Sequence, residues 1–230
     1  MSYCKDTSLK LAELCCESYD DTHGVISIGD TQVLIRQELD RLYIAFRGTE
    51  SDSIHDWLSD LDIRKENFND VPVHKGFKDA YTDVRCSILS RCRSNDINYI
   101  SVTGHSLGAA LAQLCAFDLK CLEFNVDEVY TFGCPRSGGS KFVKKYDNLL
   151  SGVSHRVVNN NDIVTRVPTL LRWRHTKNLV YYNRNGTIGK KPFFLGYIKE
   201  IYHNMTSFNF GDKFTDHSIN DYIKVIKGAK

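Results

Sequence analysis

The chain has 230 residues, 42% of them hydrophobic, enough for one domain with a substantial buried core. Thirty basic residues against 28 acidic ones leave a formal charge of +2, which makes no overall case for nucleic acid or a strongly anionic partner. No apolar run approaches the roughly 20 residues that cross a bilayer, and Met1 to Ser8 lacks the apolar core of a secretory signal. The eight cysteines (Cys4, Cys15, Cys16, Cys86, Cys92, Cys115, Cys121 and Cys134) include no C-x-x-C pair. They read as reduced thiols of an intracellular protein rather than as disulfides or a structural zinc site. The sequons at Asn185 and Asn204 matter only if the chain is secreted.

Residues 7–19 carry Leu9, Leu11, Ala12, Leu14 and Cys15 as the apolar positions of a helix. Residues 31–37 and 41–46 read as strands around Glu38-Leu39-Asp40, and Phe46-Arg47-Gly48-Thr49 closes the second. In residues 51–61, Ile54, Trp57, Leu58 and Leu61 fall at i, i+3, i+4 and i+7, one apolar stripe, with Asp52, Asp56 and Asp60 on other faces. Such a helix either packs permanently on the domain or swings away at a lipid surface as a lid over about 51–62. Residues 73–93 read as a helix burying Phe77, Ala80, Tyr81, Val84, Ile88 and Leu89.

A β-branched and aromatic stretch at 97–103 then leads into Gly104-His105-Ser106-Leu107-Gly108, followed by helix formers at 109–117. Residues 126–132 and 154–158 are further strands. Residues 169–214 are irregular and rich in aromatics, among them Trp173, Tyr181, Tyr182, Phe193 and Phe208. They offer edge strands and a wall of a site, or a satellite core under a long loop. A last helix is expected at 218–226 with Thr215 or Asp216 near its N-cap. The alternation predicts an α/β domain spanning 1–230, with a mostly parallel central sheet flanked by helices and antiparallel pairing near the start.

Gly104 to Gly108 reads G-x-S-x-G, the turn that lifts a serine out of the end of a strand, and it has a strand before it and a helix after it. Serine is a weak nucleophile and needs a base, itself oriented by an acid. Four histidines lie downstream. His217 precedes the final helix at a loop position and is the best base. His155 starts a strand, at the far end from the elbow. His175 sits among Arg172, Arg174 and Lys177 and reads as solvated, while His203 stays open. His105 adjoins the serine, but the elbow is expected to point it away. Asp162, where an apolar strand gives way to Asn159-Asn160-Asn161, suits the acid. Asp118 reads as solvent-facing in a helix, Asp127 begins a strand, Asp147 lies in a charged helix, and Asp216 reads as a cap. The backbone N–H groups of Leu107 and Thr49 are the expected oxyanion donors.

These segments resemble the class 3 lipase family, fungal-type triacylglycerol lipases with the α/β-hydrolase fold. The resemblance runs in order through Phe46 to Thr49, Asp56 to Leu61, Val73 to Phe77, the elbow, Phe132 to Gly138, Arg156 to Pro168, and Asp216-His217 with Tyr222. It implies Ser106 as nucleophile, Asp162 as acid, His217 as base, Thr49 and Leu107 as the oxyanion hole and 51–62 as the lid. No metal or organic cofactor is implied. The expected substrate is a lipid or other acyl ester met at a transient lipid interface, with no nucleic acid and no transmembrane anchor. Phospholipase or feruloyl-type esterase activity on the same triad is the alternative. Lys141, Lys144 and Lys145, or Lys190 and Lys191, either touch anionic lipid or are simply solvated. A catalytically silent binding module is the reading from another class.

Overall fold

The computed structural model of the chain describes residues 2–20, 24–48, 64–168, 172–189 and 216–229. The expected lid residues Ile54, Trp57, Leu58 and Leu61, the donor Thr49, His203 and the aromatics beyond residue 189 lie outside these.

Among the described residues one mixed sheet runs through the molecule in the order β1-β2-β3-β6-β7-β8-β9-β10. Strands β1 (Val25–Ile28), β2 (Thr31–Glu38) and β3 (Arg41–Phe46) pair antiparallel, as expected for the start of the chain. From β3 onward, β6 (Tyr99–His105), β7 (Val126–Phe132), β8 (Ser154–Asn159) and β9 (Leu179–Tyr182) are parallel, and β10 (Ile188–Gly189) turns back along β9. All five parallel strands therefore present their C-terminal ends to one edge, where ligands bind in open α/β sheets.

Among the described residues five α-helices cover the two faces: α1 (Lys5–Glu17), α2 (Lys75–Cys92), α3 (Leu107–Cys121), α4 (Ser140–Leu150) and α5 (Ile219–Gly228). Phe77, Tyr81 and Ile88 of α2, Leu114 and Phe117 of α3, and Phe142 and Tyr146 of α4 share one buried cluster with Ile44, Phe46 and Val102 of the sheet. Leu11 and Cys15 of α1 and Ile219, Tyr222 and Ile226 of α5 pack with Tyr130, Phe132 and Val157 on the other face. Each fully buried apolar side chain contributes about 1.5–3 kcal/mol relative to an exposed one. Lys5 Nζ also donates to the Lys227 and Ala229 carbonyls, satisfying the C-terminal end of α5.

Four expectations are corrected. The helix expected at 73–93 starts at Lys75, because Val71–His74 is strand β5, paired with β4 (Lys65–Phe68). Asn69 and Asp70, at φ 47° and 65°, make the two-residue turn whose twist suits a hairpin. Asp118 is not solvent-facing. Helix α2 covers that side of α3, and the buried carboxylate accepts from Arg85 Nε at 2.6 Å, Tyr81 Oη at 2.9 Å and Asn69 Nδ2 at 2.9 Å. His175 is half-buried, its Nε2 donating to the Thr165 carbonyl at 2.7 Å. The cap of α5 is Ser218, which accepts from Asn220 N, not Thr215 or Asp216. Asp216 instead accepts from Asn160 Nδ2 at 3.0 Å.

Candidate active site

Strand β6 ends at His105 and α3 begins at Leu107, so a single residue, Ser106, makes the whole turn. It does so at φ 58° and ψ −127°, a conformation that strains any residue with a side chain. Helix and strand must nearly touch to close this corner. A methyl group at Gly104 would run into the Gly108 carbonyl, and one at Gly108 into the carbonyls of Phe46 and Arg47. The elbow is thus wedged between its own helix and the end of β3. Ser106 N also donates to the Phe132 carbonyl at 3.0 Å, tying the turn to the next strand.

His217 Nε2 lies 2.8 Å from Ser106 Oγ, and His217 Nδ1 lies 2.9 Å from Asp162 Oδ2. The three side chains are each at most 1% exposed. Asp162 follows β8. Its Oδ1 accepts from Val164 N at 2.9 Å, and its Oδ2 also accepts from Tyr222 Oη at 2.6 Å. Burial pushes the Asp162 pKa up, but the neighbouring His217 and the hydrogen bonds from His217 and Tyr222 outweigh it and hold the carboxyl below its ordinary value. Arg136 steadies the acid loop from the segment after β7, its guanidinium donating to the Arg166 and Pro168 carbonyls.

Tyr222 also accepts from Asn159 N at 3.1 Å, so one phenol bridges a strand end and the acid. A carboxylate with a lowered pKa contributes stability above its unfolded pKa of about 3.9, lost as pH falls through the folded value. Tyr222→Phe is expected to cost about 1.5–3 kcal/mol in urea unfolding at pH 7, with the difference from the native protein shrinking below about pH 4.

His105 reaches the base rather than the serine. Its ring centroid lies 4.7 Å from that of His217, its Nε2 is 2.6 Å from the His217 carbonyl, and its Nδ1 is 2.8 Å from Tyr19 Oη. A carbonyl only accepts, so Nε2 carries the proton and Nδ1 accepts from the tyrosine. Burial first, and then the neighbouring His217, push the His105 pKa down to about 3, so the ring stays neutral. His105 and Tyr19 thus position the backbone of His217. The residue type in the elbow gave no sign of this, since the contact depends on where α5 enters.

Gly133, which follows β7, is a second position that sequence spacing alone did not single out. It sits at φ 62°, and a methyl group there would lie 2.7 Å from Asp162 Oδ2 and 2.8 Å from His217 Cε1. Gly133→Ala is expected to lower kcat on a soluble aryl ester by about 10²-fold, the size of effect that follows a displacement of about 1 Å.

Among the expected oxyanion donors, Leu107 N–H is the first of α3, at the positive end of the helix. Gly48 passes beside the serine, since a methyl group on it would come within 2.9 Å of Ser106 Cβ. That brings the loop leading to Thr49 alongside the nucleophile. Among the described residues no group of three or more His, Cys, Asp or Glu is arranged to hold a metal ion, and no helix is long and apolar enough to cross a membrane. A cleft of about 570 Å³ between α5 and the β9–β10 turn is lined by Asn159, Asn185, Asp216 and Lys224. Ser106 is not among its lining residues.

Residues 43–171 match the family described as Lipase (class 3). The chain is 35% identical over 160 residues to a lipase of Rhizomucor miehei, an alignment covering 64% of this chain and 41% of that protein. It is 28% identical over 217 residues to the secreted mono- and diacylglycerol lipase LIP1 of Malassezia globosa, covering 81% of this chain and 71% of the relative. The chain thus spans about two fifths of the Rhizomucor protein and most of the Malassezia one. A solved triacylglycerol lipase, described as having a serine protease triad for its catalytic centre, superposes with a TM-score of 0.67 at 28% identity, covering 78% of this chain and 81% of that one. The sheet, flanked by helices with the elbow after β6, is that of the α/β-hydrolases. With more than half of its length matched, the chain belongs to the class 3 lipase family.

Proposed function

We propose that the protein is a serine carboxylester hydrolase acting on acylglycerol esters, with Ser106, His217 and Asp162 as its triad and residues 1–230 as one domain. The unbroken hydrogen-bonded path from Ser106 Oγ through His217 to Asp162 carries this reading. Ser106 Oγ attacks the ester carbonyl as His217 Nε2 takes its proton, and Asp162 stabilises the imidazolium that forms. The tetrahedral oxyanion is held by the N–H groups of Leu107 and Thr49. His217 then protonates the leaving alcohol, and in the second half-reaction it activates water that releases the fatty acid from Ser106.

Ser106 is fully buried, which supports a cover that opens to admit the ester. The apolar stripe of Ile54, Trp57, Leu58 and Leu61 in the sequence supports 51–62 as that cover. It exposes its stripe at a lipid interface. All eight cysteines are unpaired, which supports a compartment where thiols stay reduced, in contrast to the secreted Malassezia relative.

A fluorophosphonate probe is expected to label native protein and to leave folded Ser106→Ala protein unlabelled. Initial rates on triacylglycerol, diacylglycerol, phospholipid and soluble aryl esters then rank the substrates. Labelling with no ester turnover on any of them would overturn the hydrolase reading. A rate on emulsified acylglycerol that does not rise past its solubility limit would overturn the lid.

A further inference from the structure

The overall charge of +2 hides a strong asymmetry. Residues 64–65, 136–145 and 164–177 hold ten lysines and arginines and no acidic residue. The fold brings these stretches together. His74 N donates to the Ser137 carbonyl at 3.0 Å, and Arg174 N to the Gly138 carbonyl at 2.9 Å, so segment 137–139 lies between strand β5 and the 172–174 stretch. At Gly139, the residue before α4, a methyl group would lie 3.2 Å from the Arg172 carbonyl and 3.3 Å from Lys65 Nζ. Lys65 Nζ also sits 5.2 Å from the centre of the buried Trp173 ring. Lys177 N donates to Asp147 on the third turn of α4 at 3.0 Å, so the 172–177 stretch runs the length of that helix. Lys141 and Lys144 occupy successive exposed turns of α4, and Asp147, its acidic residue, is buried on the inner side.

Lys65, Lys141, Lys144, Arg172 and Lys177 are all exposed, and among the described residues none has a carboxylate partner. Several basic residues elsewhere are neutralised: Lys10 pairs with Glu38, Arg36 with Glu17, Arg41 with Asp127 and Lys227 with Glu13. This basic face also flanks the candidate active site. His175 in the same stretch bonds Thr165, three residues beyond Asp162, and Lys65 follows the expected lid in sequence by a few residues.

We propose that this face, formed by β4, the start of α4 and residues 172–177, docks the protein on an anionic lipid surface. The partner chemistry follows from the charge: several cations spread over separate exposed elements match a plane of lipid phosphates rather than one bound anion. Each cation near an anionic bilayer contributes about fivefold in affinity, and the effect fades beyond a Debye length of about 10 Å at 0.1 M salt. The docking is independent of turnover, while its consequence, delivery of ester to Ser106, rests on the hydrolase reading.

The test is sedimentation with vesicles of phosphatidylcholine alone or mixed with phosphatidylglycerol, using full-length Ser106→Ala protein so that no lipid is consumed. Binding is expected to the mixed vesicles and to weaken with salt. The combined variant Lys65→Gln, Lys141→Gln, Lys144→Gln and Arg172→Gln is expected to bind at least 100-fold more weakly, at about fivefold per charge. In an otherwise native chain it is expected to keep full activity on a soluble aryl ester, which checks the fold. A control variant neutralising Arg91, Lys120, Lys224 and Lys227, on other surfaces, is expected to lose less than tenfold. Equal loss in the two variants, no preference for mixed vesicles, or binding to RNA or acidic protein but not to vesicles would each overturn the proposal. Absence of ester hydrolysis with vesicle binding intact would overturn only the hydrolase reading.

Discussion

Replacing Ser106 with Ala is expected to lower kcat for ester hydrolysis by about 10⁶-fold, and replacing Asp162 with Asn by about 10⁴-fold. The two losses have different origins. Alanine removes the atom that forms the acyl bond. Asparagine keeps the shape but offers an amide where the structure has a carboxylate that accepts from His217 Nδ1, Tyr222 Oη and Val164 N. An amide nitrogen turned toward His217 would favour the tautomer that carries its proton on Nε2, facing Ser106, where it cannot act as base. The two effects are also expected not to add, because the residues act as one unit. Single-turnover kinetics on an activated aryl ester checks this: the double variant should be no slower than Ser106→Ala alone. A double variant slower by the product of both effects would show that Asp162 acts elsewhere.

The second large effect is one of stability and pH. His105 is buried and neutral down to about pH 3, whereas an unfolded histidine takes up a proton near 6.5. Between those values the unfolded chain binds one more proton than the native one at this site, so stability falls as pH falls. The slope from this one residue is about 1.4 kcal/mol per pH unit, several kcal/mol over the whole window. Urea unfolding at pH 7, 6, 5 and 4 is expected to show it, steepest below pH 6. In His105→Gln, where an amide N–H can still reach the His217 carbonyl, the slope is expected to drop by that amount. The variant is also expected to lose part of kcat with little change in KM, since His105 positions His217 and does not meet substrate. Equal slopes in the two proteins would mean that the ring is already charged in the native state.

Much of this site is legible from residue types because the α/β architecture restricts where chemistry can sit. The elbow serine, the aspartate after β8 and the histidine before the last helix all lie at one edge of the sheet, so strand-end reasoning could select three residues that the fold brings within hydrogen-bonding distance. What could not be read depends on three-dimensional neighbours. Asp118 lies in a helix whose every face is covered, and periodicity cannot show that. His105 touches His217 only because α5 returns over the elbow. Gly133 is needed because two side chains from distant segments converge on its Cα. The β4–β5 hairpin was hard to read, since Lys65-Glu66-Asn67-Phe68 is mostly polar, and the periodicity of the following helix absorbed the end of its second strand. Asp216 looked like a cap from its position, whereas Ser218 sits one residue before the helix and bonds its second N–H.

The left-handed backbone at Ser106 has a consequence for how stable a working protein can become. Holding a residue with a side chain at φ 58° costs about 1–3 kcal/mol, and Ser106→Ala keeps that cost while removing the hydroxyl. Ser106→Gly releases it, and the glycine protein is expected to melt several degrees above the alanine one. Selection for thermal tolerance alone would therefore favour glycine at the centre of the elbow. A serine kept there sets a ceiling on heat resistance that a catalyst of this design accepts and an inert relative would escape.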